Sequence, residues 1–495
     1  MKSLEKMEDL PTRPLGNLEK YLVHQHSLSF YNNVQVATVF TIPKLAHNLT
    51  QDQFRVLIFA ALEETILRHP ILGYGLKDED SNTPAWVTLG QIDLNKAAQF
   101  IDGDPKSDLD TWMQAEHRRP FLCRSEIPLW RLMIISKHGG IDRDSTISFA
   151  GSFSFLHVVG DGLSAAAFHQ TFFQGMQTSL AKITADPAEF MMASKSVVKT
   201  SNLPLVPTLE DSMALPITPL FLLARAFKAF FYSPTDPLEW SGSPIRKTAP
   251  LRLPESNVRS FILQHSVVAN LLARCREHKT TITALITAAV ASGLASIYKT
   301  HTRFTSAVPF SLRKFSKHAS TDMGCYTAIV EPKFSSESNP PQGYITCRPT
   351  STLDAPGSED DGGIWKAASE CKTLISQGTA LTSNLSVGLT RFIKDYRNQF
   401  LGMLGQKRRH AFVVTNIGIV NGGALLDSPE QIVGFDRVVF STGASTNGAP
   451  YSICVASAVG GDLSIVLNWE SGVVEDGDAA VLLLMLERDL RHLAE

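Results

Sequence analysis

The sequence predicts an α/β (α+β) chain organised in two halves, and three observations lead there. At 495 residues it exceeds one ordinary core, since domains run to roughly 100–200 residues. Strand-like and helix-like patterns alternate through the N-terminal part. A stretch from about Pro187 to Pro216, with Pro204, Pro207 and Pro216 among Ser, Thr and Lys, interrupts them, and the alternation begins again near Ser260. The division expected is 1–200, a connection over 201–245, and 246–495.

In the first half, Val34–Ile42 (VQVATVFTI) reads as a strand rich in β-branched residues. A helix follows. Thr50 is its expected N-cap and Gln53 stands three residues on, as in a capping box. Phe54, Leu57, Ile58, Ala61, Leu62 and Ile66 recur at helical spacing and predict one buried face. Pro70 ends the helix by disfavouring helical geometry in the residue before it. Leu129–Ile135 and Thr146–Leu156 read as further strands. The second runs directly into His157-Val158-Val159-Gly160-Asp161-Gly162, and Leu163–Met176 then reads as a helix, so this motif sits on a strand-to-helix turn.

Between the halves, Leu220–Tyr232 (LFLLARAFKAFFY) is apolar but broken by Arg225 and Lys228. It reads as a core or domain-interface helix; the alternative is an interfacial helix touching a membrane or lipid droplet. It is too short to span a bilayer. In the second half, Val267–Glu277 and Thr283–Tyr298 read as helices, the latter capped by Thr281. Arg303–Phe310 reads as a strand. Residues 335–363, containing SSESNPP and APGSEDDGG, read as a long exposed, mobile insertion. A helix is expected at Ile364–Gln377, strands near His410–Thr415, Tyr451–Val459 and Leu463–Asn468, and a closing helix at Ala479–Leu493.

Composition narrows the function classes. Hydrophobic residues make up 44% and charged residues 19%, which fits a folded soluble protein. A formal net charge of −2 without long runs of one sign gives no support for a nucleic-acid partner. The six cysteines are scattered, with neither a C-x-x-C pair nor zinc-like spacing, which predicts reduced, mostly buried thiols. The N-terminus shows no apolar signal region and no apolar run reaches membrane-span length. A cytoplasmic monomer is the expectation.

The G-x-S-x-G elbow, the P-loop, H-E-x-x-H and the dinucleotide glycine motif are all missing. HVVGDG remains. A buried strand ending in His157 presents an imidazole at a crevice, and neutral imidazole can take a hydroxyl proton near neutral pH. Asp161 is placed to orient His157 or to hold the loop through an Arg. Gly162 permits close packing or an unusual φ. By average usage, His with Asp at +4 and Gly at +5 arises by chance in roughly one such chain in twenty. The motif alone does not decide the matter. The other histidines read blandly. His69 ends a helix. His169 packs or faces solvent. His24 and His26, at alternate positions, read as sharing one strand face; without a third ligand they predict no metal site.

Wider matches add to the motif. H-x-x-x-D-G at a strand end resembles the chloramphenicol acetyltransferase-like superfamily, and the pattern is most similar to the fungal alcohol O-acetyltransferases. Arg13-Pro14-Leu15-Gly16-Asn17-Leu18-Glu19-Lys20-Tyr21 looks like their N-terminal motif. Arg68-His69-Pro70-Ile71-Leu72, Pro128-Leu129-Trp130-Arg131, Thr283–Ala295, Pro309-Phe310-Ser311-Leu312-Arg313 and Met323-Gly324-Cys325-Tyr326 resemble their later segments in order. Val414-Thr415-Asn416-Ile417-Gly418 resembles their S-N-x-G segment, with Thr415 in place of Ser. The plant branch's D-F-G-W-G motif is absent; Asn468-Trp469-Glu470 is a distant echo.

The resemblance implies two lobes, each a mixed β-sheet with flanking helices, some segments crossing back, and a tunnel between them. It implies acetyl-CoA as co-substrate and a small-molecule alcohol as acceptor, with His157 as general base. Asp161 would pair with Arg313, and Thr415 or Asn416 would stabilise the oxyanion. Amine acceptors or longer acyl chains would fit the same site. A non-catalytic binding or scaffold member is the alternative of another class, though such a role would not require His157 and Gly162.

Overall fold

The computed structural model describes residues 13–42, 49–137, 147–231, 236–250, 252–316, 321–350, 361–421 and 433–495. Two sheets organise them. The first has five strands in the order Gly434–Thr442, Val34–Ile42, Ile147–Phe155, Trp130–Ser136, Ala98–Asp102. All neighbours pair antiparallel except the last two, which are parallel. Val34–Ile42 lies between Gly434–Thr442 and Ile147–Phe155 and is buried on both faces, so its β-branched residues find packing partners on each. On one face Phe40 stacks with Phe149 and meets Phe172 of the helix Gly162–Ala185 edge-on. On the other, Gln35 Nε2 donates to the Met113 carbonyl, 2.8 Å away in the helix Leu109–Arg118.

The helix Gln51–Arg68 begins at the expected box. The Gln53 amide N–H donates to Thr50 Oγ1, and Gln53 Oε1 accepts the Thr50 amide. It ends at Arg68, before Pro70 opens a short 3-10 turn.

The second sheet runs Ser256–Leu263, Leu463–Glu470, Tyr451–Ala458, Phe412–Val420, Arg303–Ser311, Lys333–Ser335, Ile345–Thr346; Thr327–Val330 and Glu239–Trp240 also pair with Arg303–Ser311. The helices Ile282–Ile297, Asp361–Ala380 and Asp476–His492 share its apolar core. Thr281 caps the first of these by accepting the Ala284 N–H. Gly434–Thr442 follows the second sheet's Phe412–Val420 in sequence but forms the edge of the first sheet, so the chain stitches the two together.

Several expectations change. The stretch from Pro187 to Pro216 is not a bare connection: it holds the helix Pro187–Ala193, and Val197–Lys199 pairs with Gln91–Asp93. The segment 335–363 is anchored at its start, where Ile345–Thr346 pairs in parallel with Lys333–Ser335 and Arg303 binds Glu337; residues 351–360 lie outside the described residues. The core reading of Leu220–Tyr232 fails. The helix Pro219–Phe231 leaves Leu220, Leu223 and Phe227 79%, 67% and 60% exposed; Tyr232 lies outside the described residues. Among the described residues, no single helix is long and apolar enough to cross a membrane. His24 and His26 lie on a helix, Asn17–Ser27, rather than a strand. The cause is a capping box that sequence reading passed over: Glu19 accepts the Gly16 N–H and is fixed by Arg13 at 2.6 Å.

Candidate active site

His157 stands immediately past the strand Ile147–Phe155. The last bond of that strand's edge is Leu156 N–H to the Leu129 carbonyl, 2.9 Å. A tight turn, closed by Val159 N–H on the Leu156 carbonyl, leads to Asp161, the N-cap of Gly162–Ala185. Both main-chain polar groups of His157 are claimed by side chains. Its N–H donates to His26 Nε2 at 3.0 Å, and its carbonyl accepts the Cys325 thiol at 2.8 Å.

The same sulfur lies 3.9 Å from His157 Nδ1. Hydrogen bonds to the His157 and Gly160 carbonyls also act on the ring, and carbonyls only accept. The Nδ1 edge of the ring thus lies toward Cys325. The residue as a whole is half-buried. Burial lowers the pKa of His157; the carbonyls and Asp161 raise it by less, so the net direction is down and the neutral form is favoured. Tyr31 flanks the ring, with centroids 6.1 Å apart.

Asp161 turns its oxygens away from His157. Oδ1 accepts the Ser164 N–H and hydroxyl, both at 3.0 Å; Oδ2 accepts Arg313 Nη1 at 2.6 Å and the Tyr326 N–H at 3.2 Å. Arg313 Nη2 adds bonds to Ser164 Oγ and to the Asp322 and Gly324 carbonyls, each 3.1 Å. The Asp161–Arg313 pair thus forms as expected, and it locks the turn to residues 322–326. Burial works to raise the Asp161 pKa, but the Arg313 guanidinium and the main-chain donors outweigh it and hold the carboxyl low.

Gly162 serves close approach rather than an unusual φ. A Cβ there would lie 2.2 Å from Ile417 Cγ2. Through this contact the helix start meets the strand Phe412–Val420 of the second sheet. Asn416 on that strand is committed to the protein. Its Nδ2 donates to Thr283 Oγ1 at 2.9 Å, and its Oδ1 accepts the Gly418 N–H at 2.7 Å, across a bulge where Gly418 takes φ +76°. Thr415, two residues before Ile417, is partly exposed. The geometry therefore gathers Asp161, Gly162 and Arg313 at the turn that carries His157, brings Ile417 of the strand with Thr415 onto Gly162, and gives Asn416 a bracing role.

His69 bonds Thr171 Oγ1 and His169 bonds the Val36 carbonyl; burial pushes both rings down to about 4, so both are packed and neutral. Among the described residues, no group of three or more His, Cys, Asp or Glu is placed to hold a metal ion. Sequence reading missed His26, Ser164 and Cys325. Ser164 carried a legible signal, standing three residues after an N-cap Asp; His26 carried none, because its partner is distant in sequence.

The chain is similar to known proteins over most of its length. The chain is 25% identical over 486 residues to the probable alcohol acetyltransferase crmB of Aspergillus fumigatus, covering 93% of this chain and 96% of that protein. It is 22% identical over 472 residues to the probable alcohol acetyltransferase FCK4 of Fusarium pseudograminearum, covering 94% and 91%. Among solved structures, the TRI3 trichothecene 15-O-acetyltransferase of Fusarium sporotrichioides superposes with a TM-score of 0.69 at 15% identity, covering 97% of this chain and 95% of that one. The first condensation domain of the calcium-dependent antibiotic synthetase superposes at 0.58 and 15% identity, covering 98% and 97%, so the fold is the chloramphenicol acetyltransferase-like one. The family model for alcohol acetyltransferases matches residues 97–488. A match that runs from the edge strand of the first sheet to the last helix, through the turn that carries His157, makes this chain an acyltransferase of the alcohol acetyltransferase family.

Proposed function

We propose that the chain transfers an acetyl group from acetyl-CoA to the hydroxyl of a small-molecule alcohol, with His157 as general base. The observation that carries this is the state of His157: favoured neutral by burial and fixed through both main-chain groups. The unprotonated ring nitrogen of His157 would take the alcohol proton as the oxygen attacks the thioester carbonyl. The C–S bond then breaks, and His157 returns the proton to the CoA thiolate, giving an ester and free CoA without an acyl-enzyme. The transient oxyanion needs a donor where its charge develops. The Thr415 hydroxyl is the better candidate, since Asn416 is already bonded within the protein.

The test is to mix purified protein with acetyl-CoA and a panel of alcohols and amines, following thiol release and product mass. Acceptor-dependent release with an ester product is expected. Product from amines only, or only with longer acyl-CoAs, would reassign the substrate. No acceptor-dependent release with any of them would favour the silent binding alternative, and rapid release without acceptor would indicate a thioesterase.

A second proposal concerns Pro219–Phe231: this helix rests on an anionic lipid surface. The exposed Leu220, Leu223 and Phe227 recur at helical spacing, Arg225 lies over the Phe221 ring at 5.1 Å, and Leu220–Tyr232 contains Lys228 but no acidic residue. An exposed apolar stripe in a segment whose sequence carries Arg225 and Lys228 suits insertion at charged headgroups. Wild-type protein is expected to float with phosphatidylserine-containing vesicles, and a variant with all three exposed residues changed to Ser is expected to remain at the bottom of the gradient. Equal behaviour of the two would reject the contact. Concentration-dependent dimerisation abolished by the same variant would assign the face to a second copy instead.

A further inference from the structure

We infer that His26 is a positioning residue for His157, acting through the main chain of the base rather than its ring. This rests on the reading of His157 as general base. His26 is 2% exposed on the helix Asn17–Ser27, and both of its ring nitrogens meet main-chain groups. Nδ1 lies 3.0 Å from the Tyr31 carbonyl and Nε2 lies 3.0 Å from the His157 nitrogen. A carbonyl only accepts and an amide N–H only donates. The tautomer is therefore fixed, with the proton on Nδ1 and the lone pair on Nε2.

That lone pair meets a specific need. The main-chain ladder of this strand ends with Leu156, whose N–H goes to the Leu129 carbonyl. His157 comes next and has no strand partner for its N–H. A buried donor without a partner is costly, so the backbone there would shift to find one. His26 supplies the acceptor from the N-terminal helix, while Cys325 supplies a donor to the His157 carbonyl from the other side. Two segments far apart in sequence thus clamp one residue. Because the imidazole hangs from this main chain, a small rotation of the peptide swings its basic nitrogen away from the reacting hydroxyl. Displacements of that order are costly to rate in a way that substrate binding does not register.

The variants His26→Gln and His26→Asn separate this role from simple packing. Gln carries its amide oxygen about as far from the backbone as Nε2 and can still accept from His157. Asn is one methylene shorter; it can still donate to Tyr31 but does not reach His157. The Asn variant is expected to lose roughly 10- to 100-fold in kcat with KM for acetyl-CoA and alcohol nearly unchanged, and the Gln variant to recover most of it. His169→Leu, which removes an equally buried ring bonded to the Val36 carbonyl, is the structural control. It should lower the melting temperature without lowering kcat per folded molecule.

Rates are compared at measured folded fractions. Equal kcat for the Gln and Asn variants, or a loss that tracks melting temperature as it does for His169→Leu, overturns the inference. If His157→Ala keeps the wild-type rate, the general-base reading fails and this one with it. If His157→Ala is inactive while His26→Asn matches wild type, only the role of His26 falls.

Discussion

His157→Ala is expected to lower kcat by roughly 10²- to 10⁴-fold while leaving KM for acetyl-CoA nearly unchanged, the range over which a positioned general base contributes. Among the described residues, the titratable groups next to it are otherwise engaged. Asp161 is spent on Arg313, Ser164 and Tyr326, His26 on two main-chain groups, and the buried Cys325 thiol has its pKa pushed well up by burial. The pH dependence gives a second readout. Because burial lowers the His157 pKa below its ordinary 6.5, the ring is unprotonated, and competent as a base, down to slightly acid pH. The wild-type kcat/KM should therefore be flat through neutrality and fall as pH drops through a midpoint below 6.5. The alanine variant should lack that limb. An alanine variant that retained both the rate and the limb would move the base elsewhere.

What the sequence made legible here was local. The buried strand before His157, the N-cap behaviour of an Asp at a helix start and the Thr50–Gln53 box all depend on neighbours a few residues apart. What it hid depends on distant segments meeting. In sequence Gly162 permits either close packing or an unusual φ, and only the approach of Ile417 decides for close packing. Thr415 and Asn416 look equivalent in sequence, and only the bonds of Asn416 to Thr283 and Gly418 separate them. His24 and His26 suggested a strand because alternation was weighed above Glu19, whose part in the cap depends on Arg13 holding it. An apolar helical stripe reads the same whether it faces a core or open space, so Leu220, Leu223 and Phe227 could be placed only by their exposure. The crossing of Gly434–Thr442 to the first sheet is likewise a matter of long-range pairing.

Breaking the Asp161–Arg313 pair should damage folding more than chemistry. Both partners are nearly inaccessible, at 2% and 6% exposure. Asp161→Asn keeps the ability to cap the helix but strands the guanidinium, and loss of one member of a buried pair costs about 3–5 kcal/mol. Asp161→Ala also removes the cap on the Ser164 N–H, a further ~1 kcal/mol. Arg313→Met should behave differently with pH. In the wild type the Asp161 carboxyl is held low, so its contribution to stability is complete above the ordinary carboxylate range and is lost as pH falls through the depressed value. Without the guanidinium, burial is opposed only by the Ser164 and Tyr326 donors, and the pKa rises. The deficit of Arg313→Met should then be largest at neutral pH and shrink as the solution is acidified and the carboxyl takes up a proton. Urea unfolding of the three single variants and of Asp161→Asn/Arg313→Met, at neutral and mildly acid pH, measures each term; the double variant should recover part of what either single change loses. A fully stable Asp161→Ala protein with nothing altered but its pH optimum would place Asp161 in the chemistry of His157 instead of in the lock that holds the turn.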